Sequence, residues 1–229
     1  MDIPYYTVPF SLSQEALTWI KFQTASVVEQ FQKNSVPPAG LVPMEFQDWL
    51  VWQDSIAWKE IVEFVNKYNL PRPDLQFFIY KKLDLPLPDS RGNPHIDTTV
   101  PADSDRGVDG AKRDVPVRFN ILLDGNEDQE MVWWDIDRNH SLVETVMFMR
   151  PNGKEAARLQ VKGGTPAGRW HNVGEPEWRY STLTKLNEYA SFVRTDKLHA
   201  INWDGKNPRL ILSLRFLMPW EELISKVSQ

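Results

Sequence analysis

Apolar spacing changes once along this chain, near residue 70, and that change limits what the chain can fold into. Before it, Leu17, Ile20, Val27, Val28 and Phe31 recur near helical spacing. So do Phe46, Trp49, Leu50, Ile56, Ala57, Ile61, Phe64, Val65 and Tyr68. The spacing predicts a helix over residues 12–33, with Ser11-x-x-Gln14 as its capping box. A second helix is predicted after Pro43, ending at Pro71-Arg72-Pro73. From residue 75 the period is two. Strands are predicted over 75–83, 115–123, 131–136, 142–149, 189–194, 197–203 and 209–217. Asp137-Arg138-Asn139-His140-Ser141 reads as a hairpin turn, residues 151–188 as loop-rich, and Pro219-Trp220-Glu221-Glu222 as the opening of a short terminal helix. Many short strands behind two helices fit a mainly β, α+β chain, a jelly-roll or cupin-like barrel with helices packed on it.

Composition narrows the chemistry. The 229 residues contain no cysteine, which excludes disulfides, thiol catalysis, zinc-thiolate sites and cysteine-held iron–sulfur clusters. A formal charge of −5 argues against a general polyanion-binding surface, so a nucleic-acid partner is not expected. No run reaches the eighteen or more apolar residues of a membrane helix. Met1-Asp2-Ile3-Pro4 shows no signal-peptide pattern. The expectation is a cytoplasmic chain without a membrane partner.

Two stretches carry metal-ligand chemistry. Pro94-His95-Ile96-Asp97 places an imidazole and a carboxylate two residues apart. In an extended strand such residues share a face, roughly 6.5–7 Å apart, and can converge on one ion. Leu198-His199-Ala200-Ile201-Asn202-Trp203 offers a second imidazole, with Arg209 ten residues beyond its histidine. Two His and one carboxylate on one face of a metal leave positions open for further ligands. His171 is a rival third ligand, with Arg179 as its basic companion, but Pro166-Ala167-Gly168-Arg169-Trp170-His171-Asn172 reads as loop. His140 reads as a turn residue. On the last strand Arg209, Ile211, Ser213 and Arg215 share a face. A guanidinium facing a barrel interior needs an anion, and its planar fork suits a carboxylate.

The order His95-x-Asp97, His199, Arg209 resembles that of the 2-oxoglutarate- and Fe(II)-dependent dioxygenases, and within them is most similar to the prolyl-4-hydroxylase-like branch. Gln76-Phe77-Phe78-Ile79-Tyr80 stands where that branch has a Tyr-containing strand before Pro-His-x-Asp. Val117-Arg118-Phe119-Asn120-Ile121-Leu122-Leu123-Asp124 stands where an Arg-led apolar strand follows. The likeness covers residues 75–218. Gln129-Glu130-Met131-Val132-Trp133-Trp134 departs from the Gly-Gly pair that often opens the next strand there, a departure that bears on the substrate.

Length and apolar spacing predict one domain over 1–229, with an N-terminal helical brace over 1–70 and a short helix over 219–229, and the resemblance implies that 75–218 is a double-stranded β-helix catalytic core. It implies an iron(II) ion on His95, Asp97 and His199, with 2-oxoglutarate and O2 as cosubstrates and ascorbate as a helpful assay reductant. Arg209 would take the far carboxylate of 2-oxoglutarate, helped by Ser213, Tyr80 and Asn120. The reaction would be hydroxylation of a C–H bond in a peptidyl, first of all prolyl, or small-molecule substrate, with release of succinate and CO2. Asp97 fills the position a halide would need, which favours hydroxylation over halogenation. Arg118, Trp134 and Arg215 are candidates for substrate contact. Each also has an ordinary structural reading: Arg118 as partner of a loop Asp, Arg215 as an ion-pair partner, Trp134 (with Trp203) as packing. Residues 98–114, long and charged, read equally as a lid over the site or as a solvated loop. Two other readings stay open at this point: a non-catalytic cupin-like binding protein, and a metal-dependent cupin enzyme that uses no 2-oxoglutarate.

Overall fold

A computed structural model describes residues 2–33, 41–44, 53–80, 94–99, 113–114, 117–124, 130–149, 155–164, 166–181, 188–202 and 209–229. In chain order the elements are β1 (Tyr5–Pro9), α1 (Gln14–Lys33), β2 (Leu41–Met44), α2 (Ile56–Lys67), β3 (Asp74–Tyr80), β4 (His95–Ile96), β5 (Thr98–Thr99), β6 (Arg113–Asp114), β7 (Val117–Asp124), β8 (Glu130–Trp133), β9 (Val143–Met149), β10 (Glu155–Val161), α3 (Pro166–Val173), β11 (Trp178–Ser181), β12 (Tyr189–Arg194), β13 (His199–Asn202), β14 (Arg209–Phe216) and α4 (Trp220–Val227). The strands form a first sheet in the order β1-β12-β7-β14-β3-β2 and a second in the order β11-β8-β13-β4-β10-β9. All the pairings are antiparallel. This is the mainly β fold with flanking helices that the period change predicts, a double-stranded β-helix.

Alternation on β7 shows how one strand serves two compartments. Val117, Phe119, Ile121 and Leu123 point outward, into a core shared with Ile20 of α1, Ile61 and Phe64 of α2, and Trp220 and Leu223 of α4. Phe64 stacks on Phe119, their rings 4.8 Å apart, and Phe119 meets Phe192 of β12 at 4.5 Å. Burying each such side chain contributes roughly 1.5–3 kcal/mol, so these contacts fix the helices to the sheet. Arg118 and Asn120, between them, point the other way. The second sheet is also covered on its outer face, where Ile96, Val132, Trp134, Leu159, Val161 and Ala200 pack with Trp170 of α3. Between the sheets, Met131 and Trp133 meet Val193, with Tyr5, Trp178 and Tyr180 around them. Tyr180 bonds across the gap to Ser191 and Thr7.

Several local expectations need correction. Ser13, not Ser11, caps α1: its Oγ accepts from the Ala16 amide at 3.1 Å. Ser13 also donates its own amide to Glu60 of α2, which ties the cap to the neighbouring helix. Pro43 lies in an edge strand, where its missing N–H costs nothing. The segment 1–70 thus supplies β1 and β2 as well as helices. Of the helix expected after Pro43, residues 45–52 lie outside the described residues and Gln53 is helical; α2 starts at Ile56, capped by Ser55 Oγ at 3.0 Å from the Trp58 amide. The turn at 137–141 exists, with the Asn139 amide on Asp137 Oδ1, but it joins no hairpin. β8 pairs with β11 and β13, whereas β9 pairs with β10, and β13 and β4 lie between β8 and the β10-β9 pair. Residues 166–173, read as loop, form α3. Pro166 stands at its first position, where no amide donor is needed, and Trp170 is buried against Trp134. Most of the 98–114 segment lies outside the described residues; its two ends pair as β5 and β6.

Candidate metal centre

β4 is only two residues long, yet it is wedged between β13 and β10 in the second sheet. His95 is paired in register with His199 on one side and with Gln160 on the other. Ile96 faces the outer core and is fully buried, so His95 and Asp97 must face the space between the sheets. The Asp97 amide donates to Thr195 O at 3.0 Å, which fixes the chain as it leaves the strand. The two imidazole rings lie 4.5 Å apart. His95 Nε2 is 3.5 Å from Asp97 Oδ1. One ligand atom each from His95, Asp97 and His199 lies within 4.8 Å of the others, the spread expected of groups around a single ion.

The protonation of these groups suits a cation. His199 Nδ1 sits 2.9 Å from Lys197 O. A carbonyl only accepts, so Nδ1 carries the hydrogen and Nε2 keeps its lone pair. Burial, followed by the neighbouring His95, pushes the His199 pKa down to about 3, against the pull of Asp97. The ring is therefore neutral near pH 7, the form that ligates metals. Burial alone would raise the Asp97 carboxyl. The Arg118 guanidinium and the hydrogen bond with His95 outweigh it and hold the acid well below its ordinary range. Two neutral-capable imidazoles and one carboxylate, with no thiolate, form a donor set that fits iron(II) or a similar divalent ion.

Arg118, a candidate for substrate contact, lies against the acid of the cluster. Its Nε donates to Asp97 Oδ2, and its Nη1 reaches Ser213 Oγ at 3.5 Å. The guanidinium therefore holds one carboxylate oxygen and leaves Oδ1 turned toward His95. Among the described residues it is paired with the site's own acid. Ser213, fully buried, donates to Asn120 Oδ1 at 2.7 Å. Register explains the grouping: Asn120 stands opposite Ser213, and Arg118 opposite Arg215. Four of the named residues thus share the inner face of two adjacent strands.

The other named residues fall out as follows. Arg209 is opposite Tyr80 in the backbone register; the side chains of both, and all of Trp203, lie outside what is described. Trp134 is buried on the outer face, its indole N–H bonded to Gly174 O. The inner position belongs instead to Trp133, which is opposite His199 and fully buried. The departure of one residue in an alternating strand decides which indole meets the site. His171 is exposed on α3, and Arg179 pairs with Glu175 and Glu130, so neither joins the cluster. Gln160 and Glu144, unremarked in the sequence, extend the row of His199 and His95 across the sheet. Only the pairing of β9 with β10 brings them there.

No family model and no curated protein matches the sequence. Solved structures do. The chain is similar to SnoK, a non-heme alpha-ketoglutarate-dependent carbocyclase from nogalamycin biosynthesis, at 13% identity and a TM-score of 0.51, over 94% of this chain and 80% of that one. It is also similar to EvdO2 from Micromonospora carbonacea var. aurantiaca complexed with 2-oxoglutarate, at 10% identity and a TM-score of 0.49, over 93% and 86%. A Pseudomonas putida prolyl-4-hydroxylase gives 12% identity and a TM-score of 0.37, over 94% and 93%. At these identities the likeness is one of fold, carried by the first of the three.

Proposed function

We propose that this chain is an Fe(II)- and 2-oxoglutarate-dependent oxygenase that hydroxylates a C–H bond. The observation that carries the reading is the convergence of His95, Asp97 and His199 between two sheets of a double-stranded β-helix. Those three side chains would hold the iron. Bound together with 2-oxoglutarate and O2, it would supply the oxidising power to hydroxylate the substrate as succinate and CO2 leave. Burial keeps the His199 imidazole neutral and its lone pair available. Arg118 turns Asp97 so that one oxygen faces the ion, and restrains it from swinging away. Arg209, in register with Tyr80, takes the far carboxylate of 2-oxoglutarate. Ser213, Asn120 and Tyr80 add hydrogen bonds along that molecule, and the packed walls exclude water. Peptidyl, including prolyl, and small-molecule C–H donors are the substrate classes considered, in keeping with the prolyl-4-hydroxylase-like motif order.

Purified protein with Fe(II) and ascorbate is expected to convert 2-oxoglutarate to succinate and CO2, and His95→Ala to fall to background. Equal turnover by the two proteins would sink the reading. A metal enzyme that uses no 2-oxoglutarate is separated by tryptophan fluorescence. Quenching by 2-oxoglutarate that weakens at least about tenfold in Arg209→Ala, and less in Arg215→Ala, supports the cosubstrate and its anchor. No quenching at all favours the alternative.

A further inference from the structure

We infer that Gln160 and Glu144 form the substrate-recognition side of this centre, and that the substrate carries a hydrogen-bond donor, a hydroxyl or an ammonium group, beside the carbon that reacts. The inference rests on the oxygenase reading and adds the substrate's chemistry to it.

A single row crosses the second sheet: Trp178, Trp133, His199, His95, Gln160 and Glu144, each in register with the next. Cross-strand partners share a face, so all six point between the sheets. The residues that alternate with them confirm it, since Ile96, Leu159 and Val161 pack in the outer core. The row changes character at the histidines. Beyond His199 it is indole, with Trp133 fully buried, and that side is sealed. Beyond His95 it is amide and then carboxylate. His95 has a side chain 24% exposed, against 4% for His199 as a residue, and Glu144 at the end of the amide side is partly exposed.

Gln160 is only 5% exposed. A buried amide needs partners, and its bond to Glu144, from Nε2 to Oε1, is 3.5 Å, the outer limit of a hydrogen bond. Among the described residues Gln160 has no closer side-chain partner, and Glu144 has no other. Glu144 lies on the edge strand β9 and is partly exposed. A molecule entering from that edge meets Glu144 first, then Gln160, then the face of His95. Adjacent strands are about 5 Å apart, which places the pair roughly 5–10 Å from His95, within the length of a small molecule. A carboxylate only accepts hydrogen bonds, and the Gln160 carbonyl also accepts. An anionic or purely apolar substrate would bury these acceptors without partners.

The test uses protein loaded with Co(II) and 2-oxoglutarate without oxygen, and three probes on one ring: benzylamine, benzyl alcohol and benzoate. Affinity and closeness to the metal are read from the relaxation of the probes' protons, with a Zn(II)-loaded sample as the diamagnetic reference. Benzylamine or benzyl alcohol is expected to bind at least about fivefold tighter than benzoate and to be relaxed by Co(II). The ratio is expected to fall toward one in Glu144→Gln and in Gln160→Leu, while Co(II) and 2-oxoglutarate affinities hold within about twofold. A preference for amine over alcohol identifies an ammonium group, the reverse a hydroxyl. Benzoate binding as well as the donors, no probe binding, or a ratio unchanged in both variants overturns the inference alone. A wild-type chain that takes no Co(II) overturns the oxygenase reading and this inference with it.

Discussion

Asp97 has two oxygens in different surroundings, and Arg118 is what separates them. With Oδ2 held by the guanidinium, only Oδ1 is presented toward His95. Arg118→Gln removes the charge and the fork, and partners of this kind typically carry a 10–100-fold effect on metal affinity. We expect a loss in that range when Co(II) is titrated into the variant; an unchanged dissociation constant would mean that Arg118 serves the fold alone. His199 gives a prediction about acid. In the folded chain its imidazole stays neutral down to about pH 3, whereas the unfolded chain protonates near 6.5. Between those values the unfolded state binds more protons, so stability falls as pH drops from about 6.5 toward 3. Asp97, held low, adds a further loss as pH falls below its ordinary 3.8. Denaturant midpoints of the metal-free protein at pH 7, 6 and 5 should decline, and decline less steeply in His199→Gln. Parallel slopes for the two proteins would refute the assignment of that proton.

At the scale of elements, β7 does most of the work, because its outward residues hold the helices while its inward ones build the site. Phe119→Ala should cost roughly 3–5 kcal/mol by emptying the stack between Phe64 and Phe192. Ser55→Ala, which removes the cap of α2, should cost about 1 kcal/mol. Chemical denaturation ranks the two, and a reversed order would contradict this account of the outer core. The same elements show what the sequence could say. Alternation put Ser213 on one face with Arg209 and Arg215, and the strand pattern found seven of the fourteen described strands, because side-chain period is a local property; β10 and β11 fall in 151–188, a stretch that reads as loop-rich. Pairing is not local. Asp137 to Ser141 looks like a hairpin turn and is a turn, but which strand β9 joins depends on chain far away. For that reason Gln160 and Glu144 were invisible beside His95, and Trp134 could not be told from Trp133. The helix at 166–173 was hidden by its Pro and Gly, and is held by the burial of Trp170.

The whole molecule is a sandwich covered on both outer faces, which leaves its interior free to be polar at one place. Among the described residues no helix is long and apolar enough to cross a membrane. The likeness to SnoK is a likeness of fold; the proposed chemistry rests on this chain's own His95, Asp97 and His199. The direct measurement is therefore an anaerobic Co(II) titration followed by absorption spectroscopy, on the wild type and on His95→Ala, Asp97→Ala and His199→Ala. One equivalent bound tightly by the wild type, with each variant weaker by at least about 100-fold, is the result expected of three ligands on one ion. Tight binding that survives the loss of His199, or no binding by the wild type, would contradict it.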